Sequence, residues 1–341
     1  MRALVTGATG FIGYHTVRRL LASGHEVRVL ARSLEKAERL FRAERELEIV
    51  VGDMTHAQAV ARALDTRDAV VHTAATVSFD RRAARALSEA NVAGTRNVIG
   101  GASERGIERI VYVSSLTAIF DPRSKDLGPD APVLERGNAY ARSKAAAERV
   151  VRGLAAAGAP VATVYPYGVI GPDDPGWSES VAAFRGFLAT TLATTGGVSF
   201  VDVRDLASFG VRLLEAKRMG RFIVGGHFYT WDELVAELET LLGRPIRRFS
   251  APAPLLRALG SGLDLVRRVR PLDSLISREG MEYATRTRPL PNSEALAELG
   301  VRLRPAPETF ADTVRWMLAT GRLKPHHAPA LARPADAASP S

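Results

Sequence analysis

Leu4-Val5-Thr6-Gly7-Ala8-Thr9-Gly10-Phe11-Ile12-Gly13 opens the chain as an apolar run that breaks into three evenly spaced glycines. A strand-like segment ends there at a tight turn, and a helix-patterned stretch runs on from Phe11 to Leu21. Glycine has no Cβ, so at 7, 10 and 13 the backbone can take unusual angles and let a ligand approach closely. A turn feeding a helix N-terminus presents backbone N–H groups to an anion, so the segment reads as a cradle for a dinucleotide pyrophosphate. The spacing is G-x-x-G-x-x-G rather than the commoner G-x-G-x-x-G, which points to a particular branch of nucleotide-binding folds. The plainer alternative is an ordinary glycine-rich strand-to-helix turn.

Working outward, the pattern predicts strands over 3–6, 26–31, 48–51, 69–73, 109–114 and 161–165. Helices fall between them, among them 11–23, 83–103 and 140–157, the last closed by Gly158 and Pro160. Apolar strands alternating with helices imply an α/β fold. It is expected to be a Rossmann-type doubly wound parallel sheet, with ligands at the carboxyl ends of the strands. After Pro166 the alternation loosens. A loop at 171–176 precedes short strands at 199–201 and 221–224 and helices at 231–242 and 309–320. The expected division is a dinucleotide-binding domain over 1–165 and a smaller C-terminal substrate lobe over 166–325, with some segments returning to the first core. The Ala- and Pro-rich stretch 326–341 reads as a disordered tail.

The chain has 341 residues, 46% of them hydrophobic, and no cysteine. That composition excludes disulfides, thiol catalysis and Cys-ligated metals, and no metal is expected. Neither a signal-like segment before the first strand nor an apolar run of membrane-spanning length occurs, so a cytoplasmic protein is expected. The net charge of +9 comes almost wholly from arginine; the lysines are Lys36, Lys125, Lys144, Lys217 and Lys324. No basic patch interleaved with aromatics appears, so nucleic acid is not an expected partner. One segment, 255–270, alternates Leu256, Leu259, Leu263 and Val266 with Arg257, Arg267, Arg268 and Arg270. Such a helix either lies on a lipid surface or, more commonly, packs on its own protein.

Two further features carry chemistry. Tyr140-Ala141-Arg142-Ser143-Lys144 places a phenol and an ammonium four residues apart at a helix start, on one face. A free tyrosine titrates near 10, and a neighbouring ammonium is expected to lower that value. Val111-Tyr112-Val113-Ser114-Ser115 runs a strand into two hydroxyls, one of which can hold a substrate oxygen while Tyr140 moves a proton. At the end of the second strand stand Arg32 and Ser33, with Lys36 one turn on and no acid at the strand end. An acid there accepts from the ribose 2′-OH of NAD, whereas an arginine accommodates the 2′-phosphate of NADP. NADP is therefore favoured over NAD.

With these pieces in order, residues 1–320 resemble the extended short-chain dehydrogenase/reductase family, which includes NAD-dependent epimerases and dehydratases. The matching blocks are the glycine turn, Gly52-Asp53-Met54-Thr55, His72-Thr73-Ala74-Ala75 and Asn91-Val92-Ala93-Gly94-Thr95. They continue with Ser114-Ser115, Tyr140 to Lys144, Gly168-Val169-Ile170-Gly171-Pro172 and Phe200-Val201-Asp202-Val203-Arg204-Asp205. The resemblance implies a Ser115–Tyr140–Lys144 constellation, with Asn91 at a helix position tied to proton relay or kept for structure. It implies cofactor contacts at Gly7, Thr9, Gly10, Phe11, Ile12 and Gly13. Asp53 and Met54 would lie by the adenine, Thr73, Ala74 and Ala75 by the ribose and phosphates, and Pro166, Gly168 and Val169 by the nicotinamide. Thr76, Ser115, Tyr140 and Tyr167 would face substrate. Trp177, Phe184 and Phe187 are either substrate wall or lobe core.

Two departures narrow the reaction. Dehydratases carry Asp-Glu after the serines, where this chain has Leu116-Thr117. Nucleotide-sugar members show an Arg and an Asn that Tyr165-Pro166-Tyr167-Gly168 lacks. The chain is thus most similar to the dihydroflavonol reductase and 3β-hydroxysteroid dehydrogenase subgroup, implying a ketone or secondary alcohol on a bulky, largely apolar substrate. A sugar epimerase and a non-catalytic nucleotide sensor or scaffold are the alternatives. A homodimer through helices 81–103 and 140–157 is expected by family analogy.

Overall fold

The computed structural model describes residues 1–75, 84–124, 127–134, 137–266 and 277–332. Strands β1 (Arg2–Thr6), β2 (Glu26–Ala31), β3 (Glu48–Val51), β4 (Ala69–His72), β5 (Ile110–Val113) and β6 (Val161–Pro166) alternate with helices in the first half. Those helices are α1 (Phe11–Ala22), α2 (Leu34–Leu40), α3 (Ala57–Leu64), α4 (Ala84–Thr95), α5 (Gly101–Glu104) and α6 (Ala139–Ala156). A π-helical turn, Arg96–Gly100, joins α4 to α5.

The second half carries β7 (Val169–Ile170), α7 (Glu179–Phe187), β8 (Thr190–Ala193), β9 (Gly197–Asp202), α8 (Val203–Glu215), β10 (Gly220–Val224) and β11 (His227–Thr230). It continues with α9 (Trp231–Leu242), β12 (Arg247–Ser250), α10 (Ala253–Val266), α11 (Arg278–Arg286), α12 (Ala295–Glu298), α13 (Ala306–Ala319) and α14 (Pro329–Ala332).

The main sheet has seven parallel strands in the order β10-β6-β5-β4-β1-β2-β3. Its strands are apolar on both faces because helices cover both sides. In β1, Ala3 and Val5 join one core while Leu4 joins the other, and β5 divides in the same way between Val111/Val113 and Ile110/Tyr112. Helices α1 and α8 lie over the first face, and α4 and α6 over the second. The strand order reverses between β1 and β4, so a crevice opens at their carboxyl ends. Buried within this frame, Arg28 Nη1 reaches the carbonyls of Arg62, Ala63 and Asp65 at 3.3, 3.0 and 2.6 Å and so satisfies the C-terminal end of α3.

After β7 to β9, chain 203–224 returns to the main sheet, where β10 pairs with β6. Beside the main sheet stand a three-stranded sheet, β11-β9-β7, and a two-strand pair, β12-β8. The expected disordered tail needs correcting over its first residues. A 3₁₀ turn at Pro325–His327 and α14 are ordered, because Ala328 is fully buried and Arg244 Nε donates to His327 O at 2.7 Å. Residues 333–341 lie outside the described chain.

Candidate active site

Five loops converge where β1, β2, β4, β5 and β6 end. In the first, Gly7 takes φ +77°. A Cβ on it would stand 2.6 Å from Ala74 N, and one on Gly13 would stand 2.2 Å from Gly7 O. Only glycine lets this turn close against Thr73, whose hydroxyl donates to Thr6 O at 2.8 Å. Gly10 is the N-cap of α1 with no side-chain cap, and the first turn holds no acid. The uncapped N–H groups and the helix dipole therefore suit an anionic group, so the turn fits a dinucleotide pyrophosphate. Thr9, Phe11 and Ile12 form the rest of the turn, and the Phe11 side chain is buried in the core.

At the end of β2, Arg32 is exposed and Ser33 caps α2 by accepting from Lys36 N at 3.1 Å. Asp53, after β3, accepts from Thr55 N and Thr55 Oγ1 at 2.8 and 2.7 Å. Burial pushes its carboxyl up, but these two bonds and the charges of Arg32 and His56 hold it below the usual range. Met54 is buried, and Asn97 Nδ2 fixes its carbonyl at 3.0 Å. Ala74 and Ala75 follow β4, half-buried; Thr76 lies outside the described residues. Beneath them His72 is enclosed between Thr6 Oγ1 at 2.6 Å and Thr95 Oγ1 at 3.2 Å. Burial and the Lys144 charge pull it down to about 3, so it is neutral.

The two serines after β5 part company. Ser114 turns inward and donates to Glu148 Oε2 at 2.8 Å. Ser115 caps a 3₁₀ turn, Leu116–Ala118, contacts Thr117 Oγ1 at 2.9 Å, and lies near enough to Tyr140 for its hydroxyl to act on the phenol. Tyr140 stands in the first turn of α6, whose N-cap Asn138 accepts from Ala141 N at 2.8 Å. Burial pushes its phenol up to about 12; the Ser115 hydroxyl pulls it back, and the Glu179 charge adds to the rise.

Lys144, one turn on, is buried and donates to Val113 O at 3.1 Å. Burial lowers it to about 8, with Glu148 opposing. The expectation that the ammonium lowers Tyr140 is corrected here: the lysine is held on the strand end, and desolvation dominates the phenol. Asn91 is buried on α4, where its Nδ2 donates to Ser143 Oγ at 2.6 Å, between Tyr140 and Lys144 in sequence. It ties α4 to α6.

Sequence reasoning missed Glu148. Fully buried, it accepts from Ser114 Oγ, from Tyr165 OH at 2.5 Å and from Arg152 Nε at 3.0 Å. Its place four residues beyond Lys144, in register with Tyr140, was the available signal.

After β6, Tyr167 packs with Phe120 and Tyr283, ring centroids 6.1 and 6.5 Å away, and Tyr283 OH donates to Phe120 O at 3.2 Å. Gly168 has φ +54° and abuts Ser199 O, while Val169 starts β7. Pro166 ends β6 beside them. The other aromatics proposed as substrate wall lie elsewhere. Phe184 is buried among Phe200 and Phe310, Phe187 packs on Phe200 and Trp231, and Trp177 pairs with Trp316. They are lobe core. Among the described residues no His/Asp/Glu group could hold a metal ion, and no helix is long and apolar enough to cross a membrane.

Comparison with known proteins agrees with this geometry. The family model described as the NAD dependent epimerase/dehydratase family matches residues 3–225. A putative dihydroflavonol 4-reductase from Synechocystis sp. is 28% identical over 330 residues, covering 94% of this chain and 95% of that one. Sterol demethylase protein B from Methylococcus capsulatus is 29% identical over 331 residues, covering 95% of this chain and all of that protein (100%). The solved structure of gox2253 superposes with a TM-score of 0.80 at 28% identity, over 94% of this chain and 99% of that one. A glycine cradle at the switch point, a Ser–Tyr pair at the next strand end and these matches together make the chain a member of the NAD dependent epimerase/dehydratase family with an extended short-chain dehydrogenase/reductase fold, and an oxidoreductase.

Proposed function

We propose that this enzyme interconverts a ketone and a secondary alcohol on a bulky, largely apolar small molecule with NADP(H). The observation that carries the reading is the nearness of the Ser115 hydroxyl, at the end of β5, to the buried Tyr140 phenol, with the aromatic group Phe120, Tyr167 and Tyr283 on segments that follow β5, β6 and α10. When bound, the nicotinamide supplies or accepts the hydride. Ser115 holds the carbonyl oxygen by its hydroxyl. Tyr140, a neutral phenol across the physiological range, gives that oxygen its proton in reduction and takes it back in oxidation. Lys144, fixed by Val113 O, is the group for the nicotinamide ribose hydroxyls. The aromatic rings give the substrate an apolar seat and exclude water from the reacting carbonyl.

The preference for NADP rests on Arg32, exposed at the end of β2 beside the Ser33 cap and Lys36. A guanidinium there grips a 2′-phosphate with two parallel bonds. The names of the relatives, a dihydroflavonol reductase and a sterol-processing protein, accord with an apolar substrate. The test is turnover of a panel of cyclic ketones and secondary alcohols with NADPH and NADP⁺, comparing wild type with Tyr140→Phe. Loss of turnover by about a thousandfold is expected in the variant. Undiminished turnover in Tyr140→Phe, or turnover confined to nucleotide sugars with a cofactor retained through purification, refutes the reading.

A further inference from the structure

We propose that the outer face of α10 docks on an anionic lipid surface. The helix has two unlike sides. Inward, Leu256 and Gly260 are buried against α11; a Cβ on Gly260 would lie 2.6 Å from Ser277 O, so the two segments touch backbone to backbone. Arg257 also turns in, Nη1 donating to Thr285 Oγ1 at 3.0 Å. Outward, Leu255, Ala258, Leu259, Gly262, Leu265 and Val266 recur at three- and four-residue steps and are exposed, Leu255 at 60% and Leu265 at 62%. Ser261 shares this face, but its hydroxyl folds back onto Arg257 O at 2.9 Å. The result is an apolar stripe about 17 Å long on the surface of the protein.

Charge selects the occupant. Arg247 and Arg248 stand exposed on β12 just before the helix, Arg248 pairing with Glu239 at 3.2 Å, and Arg267, Arg268 and Arg270 follow the helix in sequence; the acid within it, Asp264, has its carboxylate accepting from Arg278 N at 2.9 Å. An apolar stripe in so basic a segment is complementary to acyl chains beneath anionic headgroups. A second copy meeting this face across a twofold axis would bring the same arginines together, which is unfavourable. Phe249, on β12 just before the helix, is exposed too. The other side of the α10–α11 pair brings Tyr283 to Phe120 and Tyr167. If the apolar-substrate reading above holds, docking sets the cleft beside the phase where such a substrate dissolves; the lipid contact itself does not depend on that reading.

The test is co-sedimentation of the full chain with vesicles of phosphatidylcholine alone or mixed with phosphatidylglycerol, at low and high salt, without cofactor or substrate. Wild type is expected to pellet with the mixed vesicles at low salt, to be released by high salt, and to ignore pure phosphatidylcholine. Leu255→Asp/Leu265→Asp alters two exposed positions, so its circular dichroism should be unchanged. Its vesicle affinity should fall more than about a hundredfold. Wild type remaining in the supernatant, or the double variant pelleting like wild type, overturns the proposal. So does a wild-type dimer in solution that the double variant breaks to monomers, since the face would then belong to a second copy. Because the assay contains no reactants, it fails or succeeds separately from the turnover test.

Discussion

Replacing Glu148 by glutamine should lower the titration of Lys144 without unfolding the protein. The carboxylate is fully buried one helical turn beyond the lysine, and its charge is what opposes the downward pull of burial that leaves Lys144 near 8. At the ~6 Å separation of i, i+4 side chains and an effective dielectric of ~20, one charge pair contributes about 2–3 kcal/mol, an upper bound of about 2 pKa units. A fall of about one unit or more is expected. The five lysines make this measurable directly, by ¹³Cε-lysine NMR titration with Lys144→Arg to assign the signal. An unmoved midpoint refutes the coupling. Glu148→Ala is the control for stability. It strands the hydroxyls of Ser114 and Tyr165 and leaves Lys144 without its counter-charge, costing about 3–5 kcal/mol in denaturant unfolding. The sign of the pH effect follows from the same group. Folded Lys144 sheds its proton near 8 but its ordinary value is 10.5, so unfolding takes up a proton between them and stability rises with pH across that window. In Glu148→Gln the rise should begin at lower pH.

Arg32→Ala should weaken NADPH binding at least about tenfold, the loss of a charge-assisted contact, while NADH changes little. Nicotinamide fluorescence titration decides it, and equal losses for both cofactors would sink the NADP assignment. Gly168→Ala places a Cβ 2.0 Å from Ser199 O at φ +54°, so it should cost more than about 2 kcal/mol and reduce the soluble yield. Arg28→Met removes the guanidinium that satisfies three carbonyls at the end of α3; thermal unfolding should show about 2–4 kcal/mol of destabilisation, and an unchanged midpoint would show that water replaces it.

Much of the main sheet was legible because both of its faces are buried. Strands such as Glu26–Ala31 are then continuous apolar runs between helical periods, and their ends coincide with the expected ones. The strands β7, β8, β11 and β12 were not legible, since β7 has only two residues and the other three are half-buried or exposed segments rich in Thr, His and Arg rather than continuous apolar runs. The site was legible wherever backbone chemistry forces a residue type: glycines where a Cβ would collide, and serines where a strand ends. What sequence could not give was the direction of side chains. Phe184 and Phe187 on a lobe helix read equally as pocket wall or core until Phe200 and Phe310 were seen against them. Tyr283, more than a hundred residues from Tyr140, meets the site only through tertiary packing.

The return of β10 to the edge of β6 has a consequence for how this protein can be cut, folded and diversified. The seventh strand reaches the sheet only after the chain has traversed β7 to β9, so a shortened gene ending at residue 166 would leave β6 as a bare parallel edge. Such an edge is a template for intermolecular pairing, and the fragment should aggregate rather than bind cofactor alone. The stitch is long-range, so it belongs to the late, slow part of folding. It also fixes both ends of the 167–219 excursion to one rigid sheet. New substrate pockets can therefore arise by changing the excursion's length and lining, while the reacting edge keeps its register.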